Sequence, residues 1–384
     1  MKNKNDWMAC GSRAFLLACG LAASALPCFA KDQPAKTEKP EIEVCFVLDT
    51  TGSMSGLIEG AKQKIWSIAN EIISAKPTPD IRIGLIGYRD RGDDYVTKRF
   101  GLTNDVDVVY SHLQSFQAGG GGDEPESVNE ALDEAVRLMP WSTNRSVLKM
   151  IFLVGDSPPH MDYANAPKYP EVCRAAAKKD LIVNTVQCGG NPSTTPIWQE
   201  IARLSEGSYA AIAQSGNMAV IPTPMDVKLA ELNRKVGETL VAYGTETERR
   251  SIATKQHVSE TAPASVAADR LAFNAVSGVA VQGEGELLDS LNNGKLKFES
   301  IRKDQLPKEL QKLNDAELKA AIDKKQKERN EIQSQIRELN GQREDYLAQE
   351  RKRLEASGKS DSFDEKVAAM IRSEAVKKGI NYSK

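Results

Sequence analysis

The stretch EVCFVLDTTGSMS, residues 43–55, decides the fold of this 384-residue chain. It begins with a short, mainly apolar run, which is typical of a β-strand that is buried on both faces. It continues with small residues, several of which carry hydroxyl groups. Three further apolar runs resemble the first in length and character, and they are RIGLIGY (82–88), LKMIFLVGD (148–156) and LIVNTVQC (181–188).

Segments with helical periodicity separate these predicted strands. Helices are expected at about 55–75, 105–115, 126–139, 168–179, 195–204 and 224–242, and shorter strands at 96–102 and 208–213. Strands that alternate with helices form βαβ units. Residues 41–244 are therefore predicted to form an α/β domain, with a doubly wound, mainly parallel sheet and helices on both of its faces.

The chain changes character after the predicted sheet. Residues 245–305 are a mixed connecting region whose pattern predicts no definite structure, whereas residues 306–384 form a charged region with helical periodicity. A thin apolar seam in this region is interrupted at DKKQKERNE (323–331), and Asn340-Gly341 is a turn signal. A helical hairpin, a coiled coil that mediates self-association and a solvated helix without a partner all remain open.

The N-terminus has the order of a secretory signal peptide in residues 1–30. Basic residues precede the apolar run AFLLACGLAASALPCFA, and Cys28 and Ala30 are the small residues expected before a cleavage site. Residues 31–40 are a polar linker. We therefore expect a bacterial protein that is exported to the periplasm or secreted. A lipoprotein modified at Cys19 is less favoured, because the apolar segment before that cysteine would be too short.

Three cysteines follow the expected cleavage site. Cys45 lies inside an apolar run and is interpreted as a small buried residue. Cys173 and Cys188 could form a disulfide in an oxidising compartment, but only if the fold brings a helix residue and a strand-end residue together. The pairing therefore stays open.

Carboxylate and hydroxyl groups follow the predicted strands. Asp49, Thr51 and Ser53 follow the first strand, Asp90 follows the second, and Asp156 ends the run at 148–156. Ligand sites of doubly wound sheets lie at the carboxyl ends of the strands, so these side chains should meet at one edge. Clustered oxygen ligands favour a hard divalent cation, with Mg²⁺ as the first choice and Mn²⁺ or Ca²⁺ as alternatives.

The loop QAGGGGDEPES, residues 117–127, brings more carboxylates to the same edge. Asp123, Glu124 and Glu126 follow its four glycines directly. These side chains would repel a phosphate and attract a cation, so the loop is predicted to serve a metal and not a phosphate. The glycines are expected to act as a hinge that moves Asp123 and Glu126 towards Ser53.

The motif Asp49-Thr50-Thr51-Gly52-Ser53 resembles the D-x-[ST]-x-S signature of von Willebrand factor type A domains. In that family the signature belongs to the metal-ion-dependent adhesion site. The resemblance covers about residues 41–243. The segment Asp123-Glu124-Pro125-Glu126 resembles the integrin β-subunit variant of the site, in which an Asp-x-Pro-Glu segment supplies a glutamate to the metal.

The resemblance implies a metal site built from residues of three loops, namely Asp49, Thr51, Ser53, Glu126 and Asp156. Thr51, Ser53 and Glu126 would bind the ion directly, whereas the two aspartates would hold water ligands and orient the hydroxyls. RIGLIGYRD (82–90) also resembles the integrin β strand that contributes to a second metal site. That likeness implies a second ion at Asp90, Asp123 and Glu126, and one ion or two remains open.

These features favour a non-enzymatic, adhesion-type binding protein, whose ion captures an acidic residue of a protein partner. One alternative is a structural envelope protein in which the metal only stabilises the fold. Another is a metal-assisted hydrolase, which is disfavoured because the sequence shows no evident nucleophile–base pair, although His160 lies nearby. A net charge of −2 gives no basic field for nucleic acid.

Overall fold

The computed structural model describes residues 39–122, 124–218, 220–356 and 362–382. The expected signal peptide, most of the expected linker and Asp123 lie outside the described residues. Within the described ranges, no helix is both long enough and apolar enough to cross a membrane.

A sheet of six strands forms the centre of the described chain. The strands are Glu41–Asp49 (β1), Asp80–Tyr88 (β2), Thr97–Thr103 (β3), Leu148–Gly155 (β4), Leu181–Cys188 (β5) and Tyr209–Ile212 (β6). Their spatial order is β3-β2-β1-β4-β5-β6, and β3 alone among them runs antiparallel to its neighbour. β1 and β4 are central and almost wholly buried, which explains their apolar sequences.

Helices cover both faces of this sheet. Those that alternate with the strands are Ser55–Ile73 (α1), Val106–Gln114 (α2), Val128–Arg137 (α3), Tyr169–Lys178 (α4), Thr194–Leu204 (α5) and Asp226–Thr239 (α6). α1 and α2 bury apolar residues against one face, and α3, α4 and α5 do so against the other. The predicted doubly wound, mainly parallel α/β fold is therefore confirmed.

The remainder of the described chain is mainly helical. Its helices are Glu246–Thr261 (α7), Ala264–Ser277 (α8), Leu287–Asn292 (α9), Lys308–Gln311 (α10), Asp315–Ala356 (α11) and Phe363–Lys377 (α12). The region for which the sequence predicted no definite structure thus contains three helices. α12 returns to the sheet and packs on the same side as α1, where Phe363 is buried against Phe46.

One continuous helix replaces the turn that was predicted at Asn340-Gly341. α11 is 42 residues long and passes through both positions without interruption. Ile336 and Arg343, on either side of the pair, are buried where α11 packs against α6 and α8. Of the alternatives left open for this segment, the hairpin is therefore not formed, because tertiary packing outweighs the local turn preference.

The polar interruption of the α11 seam at residues 323–331 contains a buried arginine. Arg329 is fully buried, and its guanidinium donates hydrogen bonds to Glu286, Asp289 and Thr239. Arg329 thus extends the buried side of α11 between Ile322 and Ile336, and both of these residues are buried against other parts of the chain.

The three cysteines of the described chain are free, buried thiols. Cys173 belongs to the apolar cluster beneath α3, α4 and α5, whereas Cys188 belongs to the cluster beneath α1 on the opposite face of the sheet. The disulfide considered between these two residues is therefore not formed. Cys45 is buried as predicted.

Candidate functional site

The carboxyl ends of β1, β2 and β4 meet at one edge of the sheet. Asp49, the last residue of β1, is in register with Tyr88 of β2, and the preceding Leu48 is in register with Val154 of β4. Gly155 makes the close approach possible, because a Cβ atom at that position would lie only 3.0 Å from Cβ of Asp49. The parallel register therefore brings the exits of separate strands to one place.

The first loop at this edge orders its hydroxyls around a buried carboxylate. Oδ1 of Asp49 accepts hydrogen bonds from the backbone N–H of Thr51 at 2.8 Å and from its hydroxyl at 2.6 Å. The hydroxyl oxygens of Thr51 and Ser53 are 3.2 Å apart. Oδ2 of Asp49 is buried and has no hydrogen-bond partner among the described residues.

The glycine loop lies directly against this first loop. Gly119 donates to the carbonyl of Thr50 at 3.1 Å, and Gly120 accepts from the N–H of Gly52 at 3.2 Å. Gly121 has a φ of +69°, and a Cβ atom there would lie 2.9 Å from Cβ of Thr51 and 3.1 Å from Oε1 of Glu126. The glycines therefore permit close packing between the two loops, and their expected hinge role stays a prediction.

Glu126 is the second buried carboxylate of the edge. Its side chain is 3% exposed, and its Oε2 atom finds no hydrogen-bond partner in the described part of the chain. Burial raises its pKa to about 9, and the charges of Asp49 and Asp90 add to the effect. Burial also raises the pKa of Asp49 to about 7, although the hydrogen bonds from Thr51 oppose that rise.

Asp156 is the last of the predicted metal-site residues. It accepts a hydrogen bond from a residue that the sequence did not suggest. Oδ2 of Asp156 accepts a hydrogen bond from Nε2 of Gln214 at 2.6 Å. The same Gln214 nitrogen lies 3.3 Å from the carbonyl oxygen of Ser53. Gln214 follows the last strand, where no pattern marks it, and only the folded sheet brings it to this edge.

Asp90 lies beside the same edge but is already engaged. Its Oδ1 accepts from the hydroxyl of Ser127 at 2.8 Å, and its Oδ2 accepts from the hydroxyl of Tyr163 at 2.8 Å. Nε2 of His160 lies 3.4 Å from Oδ2 as well. Of the residues predicted for a second ion, Asp90 and Glu126 are thus close enough to interact, and Asp123 is outside the described residues.

Two further side chains lie near Asp90. Asp93 accepts a hydrogen bond from the N–H of Gly121 at 3.0 Å and so holds the glycine loop. His160 is 6% exposed, stacks on Tyr163 with ring centroids 3.9 Å apart, and its Nδ1 lies 2.8 Å from Oδ1 of Asp162. The imidazole therefore belongs to the surroundings of Asp90.

Within the described ranges, no ion pair joins a lysine or arginine to Asp49 or Glu126. The arginines of the second loop are committed elsewhere, since Arg89 pairs with Asp94 and Arg91 pairs with Glu130. Among the described residues, no group of three or more His, Cys, Asp and Glu side chains has the arrangement of a metal cluster. The edge instead offers two unpartnered carboxylate oxygens beside two hydroxyls, which is a donor set suited to a hard cation.

Comparison with known proteins agrees with this architecture. Residues 43–223 match the family model described as von Willebrand factor A domain. This segment is a von Willebrand factor A (VWA) domain. The match covers the sheet and the loops that carry Asp49, Glu126 and Asp156.

Curated relatives match parts of the chain. The chain is 34% identical over 120 residues to von Willebrand factor A domain-containing protein 7 of Mus musculus, a match that covers 31% of this chain and 12% of the relative. It is 28% identical over 134 residues to the alpha-protein kinase vwkA of Dictyostelium discoideum, covering 34% and 21%. It is 21% identical over 231 residues to an ariadne-like RING finger protein of Acanthamoeba polyphaga mimivirus, covering 55% and 22%. The chain thus spans about a fifth or less of the length of these relatives.

Solved structures with a similar domain include the conserved hypothetical protein BatB from Bacteroides thetaiotaomicron. That likeness has 19% sequence identity and a TM-score of 0.35, and it covers 45% of this chain and 90% of the BatB chain. Proximal thread matrix protein 1 from the mussel byssus is 13% identical with a TM-score of 0.34, covering 46% of this chain and 42% of that one.

Proposed function

We propose that the VWA domain binds one divalent cation, with Mg²⁺ as the first choice, and uses it to hold an acidic residue of a protein partner. The observation that carries the proposal is the pair of buried, unpartnered oxygens, Oδ2 of Asp49 and Oε2 of Glu126. Buried charges are usually paired or bind metals, because an isolated charge in an apolar interior is costly. A bound cation would supply the missing charge and leave coordination positions for an outside carboxylate.

The hydrogen bonds of the first loop support direct ion binding by its hydroxyls. Thr51 donates its hydroxyl proton to Asp49, which leaves the lone pairs of the Thr51 oxygen available to a cation. Ser53 lies next to that oxygen. We therefore assign direct contacts to Thr51, Ser53 and Glu126, and we assign the orientation of these groups and of bound water to Asp49 and Asp156.

The proposal uses one ion and not two. Both carboxylate oxygens of Asp90 already accept hydrogen bonds, from Ser127 and Tyr163. A second ion bound by Asp90, Asp123 and Glu126 would have to compete with these donors.

We propose binding and not catalysis as the role of this edge. The ring nitrogens of His160 lie near Asp162 and Asp90, so the imidazole is not placed to activate a hydroxyl nucleophile.

We further propose that the domain works in the periplasm or outside the cell, a placement supported by the basic, apolar and small-residue order of residues 1–30. Self-association through α11 would need a surface other than its buried seam.

Affinity capture from an envelope extract tests the proposal. The wild-type chain should retain a partner in Mg²⁺ and release it in EDTA, and Ser53→Ala and Glu126→Ala should retain none while remaining folded. Ser55→Ala, at an exposed position two residues further on, is the matched control and should behave as the wild type.

The other outcomes separate the alternatives. Loss of thermal stability without loss of a partner would favour a structural metal, and loss of a turnover activity would favour a hydrolase. A wild-type melting temperature that is the same in EDTA and in excess Mg²⁺, Mn²⁺ or Ca²⁺ would overturn the cation itself.

A further inference from the structure

The main chain of Glu126 is held by a segment that is distant in sequence. The N–H of Glu126 donates to the carbonyl of Pro158 at 2.9 Å, and its carbonyl accepts from the N–H of His160 at 3.1 Å. These two bonds form a parallel bridge between Glu126 and Pro159. The position of the Glu126 carboxylate therefore depends on residues 158–160, which follow Asp156 almost directly.

A buried amide fixes this segment. Asn129 lies in the first turn of α3 and is fully buried. Its Nδ2 donates to the carbonyl of His160 at 2.7 Å, and its Oδ1 accepts from the N–H of Tyr169 at 2.9 Å. The amide thus joins the 158–160 segment to the first residue of α4, and both of its ends are used.

A second donor binds the carbonyl of Ser157, the residue directly before this segment. Nε1 of the fully buried Trp198, in α5, donates to the carbonyl of Ser157 at 3.1 Å. The 158–160 segment, to which the main chain of Glu126 is bonded, is therefore attached to three helices. Asn129 connects it to α3 and α4, and Trp198 connects it to α5.

We propose that Asn129 is a positioning residue for the cation site, which acts through the main chain of His160 on the carboxylate of Glu126. This inference rests on the proposed function, because it concerns affinity for the same ion. Removing the amide leaves the carbonyl of His160 without its donor, so the 158–160 segment can shift and Glu126 shifts with it. Partners that orient metal ligands typically change affinity 10- to 100-fold, although they never touch the ion.

Asn129→Ala in the full chain tests the inference, with Mg²⁺ as the probe in isothermal titration calorimetry. Asn233→Ala is the matched control, because Asn233 is also fully buried and its amide is also bonded at both ends, to Ser259 and Arg270. It lies in α6, outside the candidate site. Both substitutions should lower the melting temperature in EDTA, but only Asn129→Ala should weaken Mg²⁺ binding, by roughly 10- to 100-fold.

A merely structural amide would give a different result. If Asn129→Ala loses stability but binds Mg²⁺ as tightly as the wild type, or if both variants lose affinity equally, the inference is wrong. Trp198→Phe covers the case in which Asn129→Ala does not fold, because it keeps an aromatic ring while it removes the donor to Ser157 and part of the indole volume. It should weaken Mg²⁺ binding by a smaller factor, and unchanged affinity would overturn the inference. A wild-type chain that binds no cation would instead overturn the proposed function.

Discussion

Buried carboxylates are partnered differently in two regions of the described chain, and only one of the two supplies them with basic partners. Where the C-terminal helices pack on one another and on the α/β domain, every pair joins an acid to a lysine or arginine. These pairs are Asp105 with Lys255, Asp107 with Arg270, Asp226 with Arg343, and Glu286 with Arg329. At the loop edge, by contrast, Asp49 and Glu126 each keep a buried oxygen for which the described residues provide no donor.

The difference indicates which buried acids have a basic partner within the described chain and which do not. In the helical region each of these buried acids has a basic partner, so its ion pairs serve the fold. At the loop edge, burial and neighbouring carboxylates raise the pKa of Asp49 to about 7 and that of Glu126 to about 9. A protein that gathers acids in this way and leaves them unpaired has an electrostatic reason to take up a cation from outside.

Breaking a buried ion pair of the helical region should have the largest effect on the unfolding free energy. Arg329→Met removes the cation from Glu286 and Asp289 but preserves much of the apolar volume, so the unfolding free energy should fall by about 3–5 kcal/mol in urea titrations. The loss should be equal in Mg²⁺ and in EDTA. Arg337→Met, at an exposed position on the same helix, should change the unfolding free energy by less than about 0.5 kcal/mol. A loss that depends on Mg²⁺ would mean that the two regions are not independent.

Disturbing the contact between the two loops should have an intermediate effect. Gly121→Ala places a methyl group against Thr51 and forces an L-residue to a φ of +69°, which should cost about 1–2 kcal/mol and weaken Mg²⁺ binding. Gly122→Ala is the matched control, since a Cβ atom there meets no atom within 4 Å. Thermal unfolding and calorimetry of both variants provide the check. Equal effects of the two substitutions would contradict the packing role assigned to Gly121.

Removing the donor to Asp156 should have the smallest effect. Gln214 is exposed, so Gln214→Ala should weaken Mg²⁺ binding by only about 0.5–1.5 kcal/mol, which is the usual worth of one hydrogen bond. The neighbouring, exposed Ser215→Ala should leave the affinity unchanged. Calorimetric titration of both variants measures the difference, and a stronger loss in Ser215→Ala would show that the loop and not the amide matters.

The sequence could predict the elements and site residues that are marked by the residues next to them in the chain. The strands were predictable because a buried parallel strand must be a short apolar run, as in VCFVL of β1. Asp49, Thr51, Ser53 and Glu126 could be singled out because each lies at a strand exit or in the glycine loop. The structure does bring these four together.

The parts that could not be predicted depend on contacts between distant residues. Gln214, Asp93 and Asn129 carry no motif, and each acquires its role from a loop elsewhere in the chain. Arg329 seemed to interrupt an apolar seam, yet it pairs with Glu286, which lies 43 residues earlier. The 245–305 region was left without a prediction because α7 is largely polar and α9 has only six residues, so neither shows a strong apolar period.

The role of Glu126 can be isolated with isosteric substitutions. Glu126→Gln replaces the buried carboxyl group with an amide of nearly the same shape, and Glu124→Gln makes the same replacement at an exposed position of the same loop. The second variant should match the wild type in EDTA and in Mg²⁺. Any difference between the two variants then reports on the buried carboxylate.

The most direct test is the unfolding free energy of the wild type and of Glu126→Gln at pH 7, in EDTA and in saturating Mg²⁺. In EDTA the variant should be more stable by about 1–3 kcal/mol, because it neither buries a charge nor takes up a proton on folding. In Mg²⁺ the difference should shift in favour of the wild type, since at 100 times Kd the wild type gains about 2.7 kcal/mol and the variant gains less. A wild type that is equally stable in EDTA and in saturating Mg²⁺, Mn²⁺ or Ca²⁺ would contradict the claim that its buried carboxylates bind a cation.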